Sequence, residues 1–183
     1  MINLLDVEKG FLLPHVKKGG TAVDFTMGNG HDTLWLSQML GETGKVFAFD
    51  IQEKALQNTR LLLQAEKAGQ NCTLILDSHH KVKDYVKEKI CVGIFNLGFL
   101  PGADKSITTK RETTLAAVHA GIELLSEDGA LLIAVYPGHE EGYLEGNLIE
   151  KELAAYDRRE FCASKFQIIN SPTSPYFFLV ERK

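Results

Sequence analysis

Short runs of β-branched and aromatic residues recur along the chain: TAVDFTM (21–27), KVFAFDI (45–51), CTLILDS (72–78), VGIFNLG (92–98) and GALLIAVY (129–136). Between and after them, apolar positions return every three to four residues. That spacing predicts helices over 31–40, 53–68, 79–89 and 109–125, and a further one over 143–159 that Gly146 weakens. Nearly continuous apolar strands alternating with helices indicate a parallel sheet covered on both faces, because such strands have no solvent-facing side. Each crossover is expected to be right-handed. The end of the chain breaks the rhythm. FQIIN (166–170) and YFFLVER (176–182) are separated only by SPTSP. Five residues hold no crossover helix, so these two strands are expected to be antiparallel neighbours.

The expected architecture is therefore α/β and Rossmann-like. It is a seven-stranded, mostly parallel sheet with a C-terminal antiparallel hairpin and helices on both faces, in one domain spanning 1–183. A sheet finished in this way resembles class I S-adenosylmethionine (SAM) methyltransferases. A dinucleotide dehydrogenase more often continues with a second set of parallel units.

Composition narrows the picture. A chain of 183 residues with 44% hydrophobic content has enough apolar side chains for a sizeable core. The net charge of −4 argues against non-specific coating of nucleic acid, though not against a local basic patch. The opening MINLLDVEKGFLLPHVKKGG mixes acids with apolar residues and lacks a basic leader region, so no signal peptide is expected. No uncharged apolar stretch is long enough to span a membrane. Cys72, Cys91 and Cys162 form no C-x-x-C and are read as small buried hydrophobes in a reducing cytoplasm. No histidine spacing matches a zinc site and G-x-S-x-G is absent, so neither a metal nor a serine triad is expected. His119 is read as a core or boundary residue.

Candidate chemistry gathers at the predicted carboxyl ends of the strands, where open α/β sheets bind ligands. The first strand runs into Met27-Gly28-Asn29-Gly30, and a helix starts at once. Glycines let the backbone turn sharply and approach a ligand closely. The dinucleotide fingerprint needs a third glycine where this chain has Thr33, and Asp24 and Asp32 add negative charge near the turn. A diphosphate is disfavoured there; a ligand carrying an ammonium and a sulfonium is suited. Asp50, ending the second strand and followed by Ile51-Gln52, can accept both hydroxyls of a ribose. Asp77-Ser78-His79 can contact an adenine edge. Asn96 ends the fourth strand in NLGFLPG (96–102), with Phe99 and Pro101 downstream. A side-chain oxygen there can accept a hydrogen bond from a target amine and aim its lone pair, with Phe99 and Leu100 as an apolar wall. A plainer role for Asn96 is a polar cap on a buried strand.

Together DFTMGNGHDT, FAFDIQEKA, DSHH and FNLGFLPGADKSITT resemble the rRNA-methylase family of small bacterial proteins, over nearly the whole chain. The resemblance implies SAM as cofactor. It also implies methylation of the amine of 5-aminomethyluridine at the wobble position of the tRNA anticodon, the reaction of characterised members. The family's cofactor contacts fall on Asn29, Asp50, Gln52, Ser78 and His79, to which the turn adds Met27, Gly28, Gly30, Asp32 and Thr33. His80 stands where the family carries Asp. Asn96 is the candidate catalytic residue. Lys105, Lys110 and Arg111 cluster beside the expected transfer point and are candidate tRNA phosphate contacts; solvated faces account for the other basic groups. Phe99 or Tyr136 is a candidate base-stacking residue, with core packing as the alternative for each. The N-terminal apolar segment and the C-terminal hairpin are candidate homodimer faces. Rival readings are a SAM enzyme acting on rRNA or on a small-molecule amine, a nucleotide-binding module without chemistry, and an NAD-type oxidoreductase.

Overall fold

The computed structural model describes residues 4–98 and 109–183. Seven strands form one sheet: β1 (Thr21–Asp24), β2 (Lys45–Asp50), β3 (Cys72–Leu76), β4 (Ile90–Asn96), β5 (Leu125–Val135), β6 (Phe161–Phe166) and β7 (Tyr176–Arg182). Their spatial order is β3-β2-β1-β4-β5-β7-β6. Pairing is parallel from β3 through β5 and antiparallel on both sides of β7. The order reverses between β1 and β4, which opens a crevice above their carboxyl ends.

Among the described residues six α-helices accompany the sheet: α1 (Leu4–Leu12), α2 (His31–Leu40), α3 (Glu53–Ala65), α4 (Val82–Tyr85), α5 (Arg111–Leu124) and α6 (Glu140–Leu153). Strand residues alternate between two cores. Phe25, Phe95, Leu131, Ile133 and Phe178 pack with Val82, Val118, Ile122 and Ile149 of α4, α5 and α6. On the other face Val46, Val92, Ile94, Leu132 and Phe177 pack with Leu12 of α1 and Leu36 and Leu40 of α2, while Ala48 and Leu74 meet Leu56 of α3. The rings of Phe25 and Phe95 stack at 4.0 Å across β1 and β4. Both are fully buried, and each such side chain contributes about 1.5–3 kcal/mol through its removal from water.

Four expectations need correction. Cys162, read as a buried hydrophobe, is exposed on the edge strand β6. The sixth strand lies at Phe161–Phe166, not at 166–170. Its residues are half-buried or exposed on an edge, so it carries little apolar signal, whereas Ile169 in the apolar-looking FQIIN is almost wholly exposed. The helix expected over 79–89 is a 3-10 turn at His79–Lys81 followed by the single turn of α4. α1 was not anticipated as an element. It packs across β5 and β7, and Phe11 meets Phe166 and Phe177 at ring distances of 4.5 and 5.5 Å. The two segments named as candidate dimer faces thus pack on each other within one chain.

Candidate functional site

A cavity of about 740 Å³ opens over the carboxyl ends of β1, β2 and β4. Its apolar floor includes Phe25, Met27, Phe49 and Leu97, and its polar wall includes Glu8, Gly28, Asn29, Asp32, Asp50, Gln52, Ser78, His79, Asn96, Lys110, Tyr136 and His139. The turn between β1 and α2 is left-handed at both glycines, with φ of 54° at Gly28 and 86° at Gly30. Side chains rarely adopt that conformation. A Cβ at Gly30 would also lie 2.8 Å from Thr59 Oγ1 and 2.9 Å from its Cα.

The strand ends hold this turn in place. Gly28 N–H donates to Asp50 Oδ2 at 3.0 Å, and Gln52 N–H donates to Asp50 Oδ1 at 2.9 Å. Each carboxylate oxygen is thereby oriented and keeps a further lone pair for a ligand. Burial raises the Asp50 pKa, and these N–H donors oppose the shift. Asn58 Nδ2 donates to Asn29 Oδ1 at 2.9 Å, and the Thr59 hydroxyl donates to Gly28 O at 3.2 Å. Helix α3 therefore braces the turn from behind.

Asp24 departs from the sequence expectation. It is fully buried and does not line the cavity. Its Oδ2 accepts the Thr33 hydroxyl at 2.7 Å and its Oδ1 accepts Thr26 N–H at 3.1 Å. Burial, and then the nearby Asp32 charge, raise its pKa to about 7. It fixes the turn from beneath instead of offering charge to a ligand. Thr33 is its partner, buried and turned inward, and Gly30 likewise shapes the turn without lining the cavity.

Asp32 lies in the first turn of α2 and bridges three elements. Its Oδ1 is 2.6 Å from Lys9 Nζ of α1, and its Oδ2 accepts Asn96 Nδ2–H at 2.6 Å. Asn96 Oδ1 accepts the Tyr136 hydroxyl at 3.2 Å, and Asn96 N–H donates to the Thr26 hydroxyl at 2.6 Å. Burial, with Glu8 and Asp32 nearby, pushes the Tyr136 phenol up to about 12, so it remains a donor at neutral pH. Tyr136 is thus tied to Asn96, a role outside the stacking and packing expected for it.

On the third side, His79 Nδ1 pairs with Phe25 O at 3.1 Å, which makes Nδ1 the protonated nitrogen. Nε2 is then an acceptor; it is buried and has no partner among the described residues. Burial lowers the His79 pKa to about 4, so the ring is neutral. Ser78 Oγ pairs with His80 Nδ1 at 2.8 Å. Asp77, also on the cavity lining, accepts from Lys81 and Tyr85, and hydrogen bonds from Lys81, Ser78 N–H and Tyr85 hold its carboxyl at about 2.

The basic cluster divides. Lys110 lies on the cavity wall. Arg111 donates from Nε to Glu141 Oε1 at 2.9 Å. Lys105, with Phe99, Leu100 and Pro101, lies outside the described residues. Among the described residues, no group of His, Cys, Asp and Glu could hold a metal ion, and no helix is long and apolar enough to cross a membrane. His139 caps α6 by accepting Gly142 N–H through Nδ1 at 3.1 Å. Glu8 and Lys9 were missed altogether. Apolar residues at 4, 7 and 11 were the available signal for α1.

The donor set suits an adenosine bearing a positive charge. Asp50 offers an oriented carboxylate, His79 a buried acceptor, and Asp32 a negative charge above an apolar floor. The strand order and the antiparallel β7 define a class I SAM-dependent methyltransferase fold. Residues 46–182 match the family described as "Putative rRNA methylase", and the chain belongs to that family. It is 35% identical over 179 residues to a chloroplastic tRNA (mnm(5)s(2)U34)-methyltransferase of Arabidopsis thaliana, covering 92% of this chain and 65% of that protein. The chain therefore spans about two thirds of that relative's length. A Clostridium thermocellum protein described as a putative rRNA methylase is 35% identical, with a TM-score of 0.96 over 100% of this chain and 99% of its own. A Streptococcus mutans protein, a putative methyltransferase crystallised with SAH, is 35% identical with a TM-score of 0.90 over the same shares.

Proposed function

We propose that this protein is a SAM-dependent tRNA methyltransferase that methylates the amine of 5-aminomethyluridine at the anticodon wobble position. The observation that carries the reading is the presentation of the Asn96 amide, at the tip of β4, on an acid-lined cavity with an apolar floor. The name of the Arabidopsis relative supports the choice of tRNA position.

SAM is the cofactor; when bound, it supplies an electrophilic methyl. Asp50 would take the ribose hydroxyls, with Gln52 beside it. Ser78 and the His79 acceptor would take the adenine edge, and Met27, Gly28, Asn29 and Asp32 the methionine end. The target resembles a lysine amine, whose ordinary pKa of about 10.4 keeps it charged at pH 7. Glu8 and Asp32 attract that cation into the cavity, and Asn96 Oδ1 accepts a hydrogen bond from it. The amine reacts once its extra proton has passed to solvent water, with the freed lone pair directed by that contact. Positioning supplies much of the acceleration in such a transfer. Lys110 holds an RNA phosphate at the cavity mouth.

Mass spectrometry of tRNA nucleosides from a deletion strain tests the reading. The expected result is loss of 5-methylaminomethyluridine with accumulation of its 5-aminomethyl precursor. Unchanged tRNA together with a missing methyl in rRNA would overturn it in favour of the activity in the family's description.

A further inference from the structure

We propose that Asp32 and Tyr136 are positioning residues that fix which end of the Asn96 amide faces the methyl acceptor, and that Lys9 of α1 holds Asp32 in place for this task. The proposal rests on the reading of Asn96 as the residue that contacts the target amine.

An asparagine amide is nearly symmetric in shape and opposite in polarity at its two ends. Turned one way it offers an oxygen that accepts from an amine; turned the other way it offers N–H groups that repel the amine's own hydrogens. Nothing in the strand itself chooses between them. The choice comes from the neighbours. Asp32 Oδ2 lies 2.6 Å from Asn96 Nδ2. With the amide turned over, two oxygens with no proton between them would meet at that distance, which is repulsive. The Tyr136 hydroxyl donates from the other side at 3.2 Å, so the oxygen is drawn to that end. Tyr136 takes one lone pair of Oδ1, and the second remains for the substrate. The Asn96 main chain is fixed independently by the Thr26 hydroxyl at 2.6 Å, so rotation of the side chain is the freedom left to control.

Lys9 completes the arrangement. Its ammonium lies 2.6 Å from Asp32 Oδ1 and over the Trp35 ring at 5.7 Å. It holds one carboxylate oxygen and leaves the other to accept from the Asn96 amide. An element that the parallel sheet does not require thus reaches the transfer point through one ion pair.

The test has two readouts. The first is single-turnover methyl transfer to tRNA carrying 5-aminomethyluridine, with SAM affinity measured in parallel. Asp32→Ala is expected to lower the rate at saturating SAM and tRNA by about 10²-fold, the loss typical of one preorganised polar contact, beyond what it costs in SAM affinity. Asp32→Asn combined with Lys9→Met keeps a carbonyl acceptor for the Asn96 N–H, and is expected to stay within about tenfold of wild type. Adding Asp32→Ala to Asn96→Ala is expected to cost nothing further, since both act through one amide. The second readout is the side-chain amide resonance of Asn96 in the 15N-labelled free protein, expected to shift in Asp32→Ala and in Tyr136→Phe but to persist in the double variant Asp32→Asn with Lys9→Met. The proposal is overturned if that double variant falls as far as Asp32→Ala at saturating SAM and tRNA, because Asp32 then acts by its charge and not by accepting from the amide. It is also overturned if the losses from Asp32→Ala and Asn96→Ala multiply, or if the Asn96 resonance ignores both neighbours. Should Asp32→Ala not fold, the same two comparisons are made with Tyr136→Phe. Asn96→Ala at the wild-type rate would instead remove the reading of Asn96 on which the proposal stands.

Discussion

Asp50, at the end of β2, accepts the main-chain N–H of Gly28 at 3.0 Å, so the acid and the glycine turn are one assembly. Asp50→Ala is therefore expected to do two things. Loss of a charge-assisted bond of about 1.5–3 kcal/mol should weaken SAM binding by roughly 10- to 150-fold. The orphaned N–H groups of Gly28 and Gln52 should also lower stability, by about 1–3 kcal/mol for each donor left buried. Titration calorimetry and urea unfolding separate the two effects. An unchanged dissociation constant would remove Asp50 from the cofactor site.

Gly30→Ala tests the turn without touching a charge. Gly30 has a φ of 86°, and its Cβ position is filled by Thr59. Left-handed backbone costs about 1–2 kcal/mol for an alanine, and the clash adds to it. The expected outcome is a lower urea midpoint together with weaker SAM binding. A fully stable variant would show that α3 can yield.

Acid sensitivity divides between two buried groups of opposite sign. His79 titrates near 4 in the folded chain and near 6.5 when unfolded, so the unfolded state binds the extra proton between those values. Its stabilisation is lost as pH falls through that window, on the order of 3 kcal/mol in all. Asp24 behaves the other way: its folded pKa is raised to about 7, so its contribution is lost as pH rises from about 4 through 7. Asp24→Asn should therefore make stability rise more steeply with pH between 4.5 and 6.5 than in wild type. Urea midpoints across that range are the measurement, and parallel curves would refute the assignment.

Lys110 and Arg111 are adjacent but should not behave alike. Lys110→Ala is expected to raise the tRNA Michaelis constant and to flatten the salt dependence by about 0.7 per lost single-strand phosphate contact. Arg111→Ala should do less, because its guanidinium is already held by Glu141 at 2.9 Å. SAM affinity should be unchanged in both. Equal salt slopes for wild type and Lys110→Ala would place the RNA elsewhere.

Asn96→Ala should reduce single-turnover transfer far more than SAM binding, with a transition-state cost of about 2–4 kcal/mol. Transfer at the wild-type rate would leave Asn96 as a cap on β4.

Local pattern fixed much of this protein. Helix α2 at 31–40 and strand β7 at 176–182 lie where periodicity put them, because their signals are made by neighbours in the chain. The antiparallel end of the sheet was legible because the connection is too short for a crossover, although it runs over residues 167–175 and is longer than the five residues read from the sequence. The polar strand ends Asp50 and Asn96 were legible for the same reason, since a parallel sheet sends every carboxyl end to one rim. Tertiary structure alone decided what those residues do to one another. Asp24 and Asp32 look equivalent in DFTMGNGHD, yet burial turns the first into a weak acid beneath the turn while the second faces the cavity. Lys9 meets Asp32 across 23 positions of sequence only because α1 packs on the strands β5 and β7, which arrive more than 100 residues later. Strand β6 is a strand by pairing with β7 rather than by apolar content, and the orientation of the Asn96 amide is set by side chains from α2 and the end of β5. Spacing along a chain reports which face a residue takes; its charge state and its partners depend on what the fold brings against it.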